Sequence, residues 1–148
     1  HTLVINTDGT LWATGDNRAG QLGDGTIVHR NKLILVGQDF VDAAVGKWKS
    51  YGVKRDGSLW AWGSNADNTL GNNDWSQQAL LKPTQIGVGY QKVSAADNHI
   101  LALKVDGSLM AWGNASSGQL GLGDNVRRQR HRPRPHRAWP AHGRRDLP

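Results

Sequence analysis

The sequence predicts an all-β fold built from repeated antiparallel units, such as the blades of an incomplete β-propeller or the turns of a β-solenoid. One octapeptide occurs three times with a period near 50 residues, as DGTLWATG at 8–15, DGSLWAWG at 56–63 and DGSLMAWG at 106–113. Apolar residues alternate with polar ones around each copy, which is typical of strands. No sustained helical period lies between the copies, so crossover helices are not expected.

Each octapeptide begins with an Asp-Gly pair, and each pair predicts a tight turn between two strands. Asp-Gly between alternating runs favours a two-residue type I′ turn, in which both central residues have positive φ. We therefore expect a strand, a turn, a second strand and a Gly/Asn-rich loop in every unit. The pairs are Asp8 and Gly9, Asp56 and Gly57, and Asp106 and Gly107.

The strand after each turn carries apolar residues on both faces. In the second copy, Leu59 and Ala61 share one face while Trp60 and Trp62 share the other. Sheets of this kind are expected to be covered on both sides, as when sheets stack on each other. Structural roles are expected for all positions that recur in the three copies. Besides the turns, these are His1 and His99, Gly15, Gly63 and Gly113, and Trp12, Trp60, Trp62 and Trp112.

The longest shared pattern is H-x-L-A-L-K-x-D-G-S-L-x-A-W-G-x-x-x-x-G-Q-L-G-x-G, from His99 to Gly123. It resembles the repeat of the regulator of chromosome condensation family. The copy that starts at His1 is similar, whereas the middle copy departs from the pattern at Lys49, Asn68, Thr69 and Asn73. The resemblance covers about residues 1–125 and implies a seven-bladed β-propeller with four antiparallel strands in each blade.

The repeats divide the chain into about three blades, with units near 1–40, 41–90 and 91–125 and a tail at 126–148. An arc of three blades leaves two apolar faces and unpaired strand edges open. We therefore expect self-association through the open blade faces.

The net charge of +6 is concentrated in the tail. Residues 1–126 hold ten basic and eleven acidic side chains, whereas 127–148 hold eight arginines and one aspartate. One hypothesis is that a frameshift has replaced the natural continuation of the repeat, which makes the tail non-native. The alternative is an authentic disordered arm that binds nucleic acid through phosphate contacts.

No pattern in the sequence predicts catalysis or a cofactor. The chain has no cysteine, and it lacks GxSxG, GxGxxG and phosphate-loop motifs as well as metal-ligand spacing. His1 and His99 share a repeat position, where a structural role is expected. No catalytic, cofactor-binding or metal-binding residue is therefore predicted, and no apolar run reaches the roughly 20 residues of a membrane helix.

The function predicted is protein binding through the loops between strands, with a partner that the sequence does not identify. Two alternatives remain open, a chromatin-associated regulator or guanine nucleotide exchange factor-like protein, and a structural array within a larger bacterial surface or secreted protein. The loop at 64–83 differs most from its copies and is the predicted contact surface. Its candidate residues are Asn72, Asn73, Asp74, Trp75 and Gln77.

Overall fold

A computed structural model describes residues 1–66, 69–74, 76, 78–121 and 123. These residues form ten β-strands and no α-helix. The strands are β1 (Thr2–Ile5), β2 (Leu11–Gly15), β3 (Arg30–Gly37), β4 (Phe40–Gly46), β5 (Lys49–Lys54), β6 (Leu59–Gly63), β7 (Leu80–Gly87), β8 (Tyr90–Ala95), β9 (His99–Lys104) and β10 (Leu109–Gly113).

The strands form three antiparallel sheets in which neighbours in sequence are neighbours in space. The first has the order β1-β2-β3, the second β4-β5-β6-β7 and the third β10-β9-β8. Equivalent residues pair in each sheet, since Leu3 lies opposite Ala13 and Leu101 opposite Ala111. The all-β prediction is confirmed. In the described part of the chain, only the second sheet has all four strands.

The Asp-Gly turns differ from the expected two-residue turn. Gly57 N donates to Lys54 O at 2.9 Å, and Lys54 N donates to Ser58 O at 2.9 Å. Of the loop residues between them, only Gly57 has positive φ, at 80°. This is a three-residue loop, a type I turn followed by a left-handed glycine.

The Asp side chain accounts for the difference in turn type. The Asp56 carboxylate accepts from Ser58 N at 2.9 Å and from Ser58 Oγ at 2.6 Å. Bonding two residues ahead is the usual way in which aspartate stabilises a turn without adopting positive φ itself. Asp8 and Asp106 make the same pair of hydrogen bonds to the hydroxyl residue that follows the glycine.

The sheets pack face to face in a constant direction. We call the face that carries Leu11, Leu59 or Leu109 the leading face of its sheet, and the opposite one the trailing face. The leading face of the first sheet packs against Phe40 and Trp62 on the trailing face of the second. The leading face of the second packs in the same way against the third; the residues of that core include Tyr51, Val53, Leu59, Tyr90, Met110 and Trp112.

The second sheet is therefore covered on both sides, as its apolar pattern predicts. Leu59 on one face and Trp62 on the other are both 0% exposed. On the leading face of the third sheet, the equivalent Leu109 is 47% exposed, because no described residues pack over it. No helix in the described ranges has the length and apolar character needed to cross a membrane.

Candidate functional site

The long β2–β3 and β6–β7 loops lie at one end of the sheets, together with the short β4–β5 and β8–β9 turns. Gly63, where β6 ends, pairs with Lys49, where β5 begins, so the β4–β5 turn and the β6–β7 loop emerge together. The β2–β3 loop and the β8–β9 turn occupy the same place in their sheets. We call this the loop end, and the opposite end, with the Asp-Gly turns, the turn end.

A buried asparagine organises each of the first two long loops. Asn17 Oδ1 accepts from Leu22 N at 2.9 Å, and its Nδ2 donates to Thr26 O and Val28 O. Asn65 repeats the pattern, because its Oδ1 accepts from Leu70 N at 3.2 Å. Sequence reasoning missed this pair, although both stand two residues after a recurring glycine.

Asp24 adds a charged anchor to the first loop. Its carboxylate pairs with Arg30 Nη2 at 2.6 Å and accepts from Thr26 Oγ1 at 2.7 Å. Burial opposes its ionisation, but the hydrogen bonds from Thr26, Arg30 and Asn17 outweigh burial and lower its pKa to about 2. The loop is thereby fixed to the start of β3.

Each loop is also bonded to the next repeat through one backbone carbonyl. Gln21 O accepts from Trp62 Nε1 at 2.9 Å and from Ser50 Oγ at 2.7 Å. Thr69 O, at the equivalent position, accepts from Trp112 Nε1 at 3.0 Å. Trp62 and Trp112 thus join consecutive repeats as well as filling the space between sheets.

The repeated histidine position is occupied differently in the first two copies. His1 Nε2 lies 2.9 Å from Ser50 Oγ of the second sheet. Lys49 takes this position in β5 and donates to Thr69 Oγ1 at 2.6 Å, while His99 begins β9.

The tryptophans at the second position of β2 and β6, the strands that follow the Asp-Gly turns, form a second hydrogen-bonded series. Trp12 Nε1 donates to Thr10 Oγ1 at 2.9 Å, and Trp60 Nε1 donates to Ser58 Oγ at 2.7 Å. Met110 takes the equivalent place in the third copy. The indole N–H groups of Trp12 and Trp60 therefore stabilise the Asp-Gly turns of their own sheets by hydrogen bonding.

The predicted contact residues lie in the β6–β7 loop, where several bond within the loop. Asn72 Oδ1 accepts from Asp74 N at 3.2 Å, and Asp74 in turn accepts from Ser76 N and Ser76 Oγ. Asn73 has φ of 59° where Gly25 has 82°, so asparagine preserves the left-handed turn of the first copy. Trp75, Gln77 and the tail at 126–148 lie outside the described residues.

The structure indicates a different aromatic residue as a candidate contact, Trp48 at the tip of the β4–β5 turn. Its backbone has φ of 60° and its surface is 43% exposed. Lys47 Nζ lies 4.8 Å from the centre of its ring. A bulky residue in this conformation costs on the order of 1–3 kcal/mol and is characteristic of functional sites. In the sequence, Trp48 is distinguished only because it is a tryptophan outside the pattern that the three copies share.

An open groove of about 420 Å³ lies beside Trp48, where parts of all three repeats meet. A Cβ on Gly46 would lie 2.6 Å from Ala96 O, so glycine allows the ends of β4 and β8 to approach each other. The groove is lined by His1, Asp16, Gln21, Val45, Gly46, Lys47, Trp48, Ala95, Ala96 and Asp97. In the described part of the chain, no three His or Asp side chains cluster as metal ligands would.

Comparisons with known proteins agree with this geometry. Family models described as the regulator of chromosome condensation (RCC1) repeat match residues 56–103 and residues 1–21. No curated protein sequence matches the chain significantly.

Three solved structures have the same fold. Human WBSCR16 is 22% identical, with a TM-score of 0.68 over 76% of this chain and 30% of that one. Prp20p from Saccharomyces cerevisiae, whose binding to Gsp1p and histones was described with its structure, is 24% identical, with a TM-score of 0.66 over 82% of this chain and 33% of that one. Yeast RCC1 (Prp20) bound to Kap60 is 23% identical, with a TM-score of 0.69 over 86% of this chain and 33% of that one.

Three stacked antiparallel sheets joined by equivalent loops define part of a β-propeller of repeated blades. Two stretches of the chain, residues 1–21 and 56–103, match the RCC1 repeat family, and the match supports that family for these repeats. The chain spans about a third of the length of the solved structures that it matches.

Proposed function

We propose that this chain is a non-enzymatic module that binds a protein partner through the loop end of its sheets. The observation that carries the proposal is Trp48, whose large ring is 43% exposed on a strained backbone. The exposed part of the ring contributes no burial to folding, whereas tryptophan is enriched among the residues that dominate protein–protein binding.

The surroundings of Trp48 support a binding surface at this place. The turn is fixed from behind, because Trp48 O accepts from Ser64 N at 2.8 Å. The adjacent loops are held by the buried Asn17 and Asn65 described above. A rigid aromatic anchor surrounded by ordered loops loses little conformational entropy when a partner binds.

The solved relatives support a protein as the partner. Prp20p is described with its binding to Gsp1p and histones, and yeast RCC1 is bound to Kap60. These proteins have a similar fold, and they provide the first purified candidates to test. Two alternative functions are regulation like that of an exchange factor and a purely structural role in a larger array. No described residue favours either of them over protein binding.

The test measures the affinity of the full chain for purified Gsp1p, for histones and for binders selected from a protein display library. Trp48→Ala should weaken binding at least about tenfold, as expected for a central aromatic anchor. Val105→Ala is the control, because Val105 is exposed at the turn end. Failure to obtain any binder, or equal affinity for the wild type and the Trp48→Ala variant, would contradict the proposal.

A further inference from the structure

A second open groove, of about 450 Å³, lies where the first sheet packs on the second. One wall comes from the β2–β3 loop and the end of β3, and it includes Gly23 and Asp24. The other wall comes from the second sheet and includes Lys54 and Trp60. Trp48 does not line this groove, which is therefore separate from the proposed contact at the loop end.

Two aromatic rings of the groove wall hold the Lys54 ammonium group in place. Lys54 Nζ lies 4.6 Å from the centre of the Trp60 ring and 5.1 Å from the centre of the Phe40 ring. Both aromatic residues line the groove together with Lys54. Ring faces attract a cation, but they leave the N–H donors of the ammonium group available for an acceptor.

The Lys54 ammonium group is accessible and is not neutralised by a described carboxylate. Lys54 is only partly buried, and its Nζ is not one of the enclosed, unbonded atoms of the described residues. Asp56 is near enough to interact with this charge, but its carboxylate bonds to Ser58 and makes no direct ion pair with Lys54. The ammonium group can therefore pair with an acceptor from outside the chain.

A second ammonium group on the same wall belongs to Lys82, near the start of β7. Lys82 is exposed, and it lines the groove beside Pro83. Its side chain lies against the β2–β3 loop, since a Cβ on Gly25 would be 2.8 Å from Lys82 Cε and 3.8 Å from Lys82 Nζ. The second sheet thus contributes two positive charges to one groove.

The charges of the groove favour an anionic ligand. Asp24 is the carboxylate that lines it, and Asp24 already pairs with Arg30 at 2.6 Å. Among the described residues, neither Lys54 nor Lys82 forms an ion pair. Two positive charges are therefore available to a ligand, and the negative charge of Asp24 is already balanced.

Apolar surface lies beside these charges and defines the kind of anion that fits. Val36, Trp60 and Pro83 line the groove and are partly exposed. A free inorganic anion would leave this surface uncovered. An acidic segment of a protein carries carboxylates next to apolar side chains, so it can use the ammonium groups and the apolar wall together.

We infer that this groove binds an acidic segment of a protein, with a carboxylate of that segment paired with Lys54 and Lys82 and an adjacent apolar side chain packed on Trp60. This surface is independent of Trp48 and goes beyond the proposed function. Its charge also provides specificity, because a basic segment would be repelled.

The first experiment observes the groove in the wild-type protein. The uniformly ¹⁵N-labelled full chain is titrated with N-acetyl-Glu-Leu-Glu-amide, and the tryptophan indole signals are followed by NMR. We expect a saturable shift of the Trp60 signal, with a dissociation constant on the order of 1 mM for a ligand this small. The signals of Trp48 and Trp62 should not move. The arginines at 127–148 also attract an acidic peptide, but only binding in the groove reports at Trp60.

Two further titrations are the controls for this signal. The neutral peptide N-acetyl-Gln-Leu-Gln-amide and sodium phosphate, each at the same ionic strength, should leave the Trp60 signal unchanged. Absence of a saturable shift with the acidic peptide would overturn the inference. So would an equal shift with the neutral peptide, which removes the role of charge, or with phosphate, which removes the role of the apolar wall.

The second experiment uses matched variants. Lys54→Met and Lys104→Met each remove an ammonium group that lies over an aromatic ring, but Lys104 lies over Tyr90 and does not line the groove. Lys54→Met should weaken peptide binding at least about threefold, whereas Lys104→Met should leave it unchanged. Lys82→Met should also weaken binding, and since Lys82 is exposed this variant tests the groove even if Lys54→Met folds poorly.

These variants also distinguish the inference from the proposed function. Trp48→Ala should leave binding of the acidic peptide unchanged, because Trp48 does not line the groove. Affinities equal to that of the wild type in both Lys54→Met and Lys82→Met would show that the inference is wrong and would leave the proposed contact at Trp48 untouched.

Discussion

At the scale of single residues, the Asp-Gly turn is a hydrogen-bonded series rather than a simple reversal of the chain. In the second copy, Trp60 donates to Ser58, and Ser58 donates to Asp56. Hydrogen bonds from Ser58 lower the pKa of Asp56, so the carboxylate stays ionised and remains a strong acceptor. The octapeptide recurs because the hydrogen bonds among Asp56, Ser58 and Trp60 stabilise the turn, in addition to the alternating pattern that forms the strands.

Gly63, the last residue of β6, is held in a close backbone contact that Gly107, in the third Asp-Gly turn, does not make. Gly63 has φ of 95°, and a Cβ there would lie 2.5 Å from Trp48 O and 2.8 Å from Lys49 Cα. Gly107 has φ of 83°, but a Cβ there would meet nothing within 4 Å. Gly63→Ala should therefore lower the free energy of unfolding by about 3 kcal/mol or more, and Gly107→Ala by about 1 kcal/mol.

Urea denaturation of both variants measures the difference. Both substitutions carry the cost of a left-handed alanine, so Gly107→Ala isolates the cost of the backbone clash at Gly63. Equal losses in the two variants would mean that the close approach of Trp48 to Gly63 is absent.

Asp24 predicts acid sensitivity of the first long loop. Its folded-state pKa of about 2 lies below the ordinary value of 3.8, so the ionised group stabilises the fold above about pH 4. That stabilisation is lost as the pH falls from about 4 to about 2. The free energy of unfolding should fall less steeply in Asp24→Asn than in the wild type across this interval.

Denaturation at a series of pH values checks the prediction. Some acid sensitivity remains in the variant, because hydrogen bonds also lower the pKa of Asp8, Asp56 and Asp106. Identical pH profiles for the variant and the wild type would show that Asp24 is not bonded as described.

At the scale of elements, the equivalent position of the repeat contributes differently to the free energy of unfolding in different sheets. Leu59 and Leu109 follow the same turn in β6 and β10, but Leu59 is buried between sheets and Leu109 is 47% exposed. Leu59→Ala should cost about 3 kcal/mol of unfolding free energy, whereas Leu109→Ala should cost less than about 1 kcal/mol. Denaturant titration compares the two, and similar costs would contradict the assigned stacking of the sheets.

Most strands could be predicted from the sequence, because alternation and the Asp-Gly turns are local properties. The type of turn could not be predicted from Asp-Gly alone, since Asp56 competes with the type I′ geometry by bonding to Ser58. The roles of Asn17 and Asn65 were missed because their partners lie as far as nine to eleven residues away, in loops without a strand pattern.

The candidate site was less predictable than the sheets. Trp48 and Gln21 are far apart in sequence and meet only because the first loop reaches over the second sheet. The left-handed backbone of Trp48 has no signature in the sequence. The predicted contacts at Asn72, Asn73 and Asp74 stay a prediction, and so does the contribution of Trp75 and Gln77.

At the scale of the whole molecule, the stacking leaves two sheet faces that no described residues cover: the trailing face of the first sheet, where Val4 and Leu35 are exposed, and the leading face of the third. The leading face of the third sheet carries Leu109 where Leu11 and Leu59 are fully buried by the next sheet. Apolar strand faces of this kind favour association. We expect the chain to self-associate in a concentration-dependent way through this face.

Leu109→Lys should weaken that association about tenfold or more and leave the unfolding midpoint nearly unchanged, since the side chain is half exposed. Analytical ultracentrifugation measures the association. Val88→Lys is the control, because Val88 lies in the connection between the second and third sheets and is exposed. A chain that stays monomeric at high concentration, or one whose association ignores Leu109→Lys, would contradict this expectation.

The tandem stacking of equivalent sheets is tested most directly by hydrogen exchange at the tryptophan indoles, followed by NMR in the full chain. Trp62 and Trp112 donate to equivalent carbonyls of the preceding repeats, at Gln21 and Thr69. We predict slow and similar exchange of these two indole N–H groups, and rapid exchange at the exposed Trp48. Rapid exchange at Trp62 and Trp112 would show that consecutive repeats are not joined in this way.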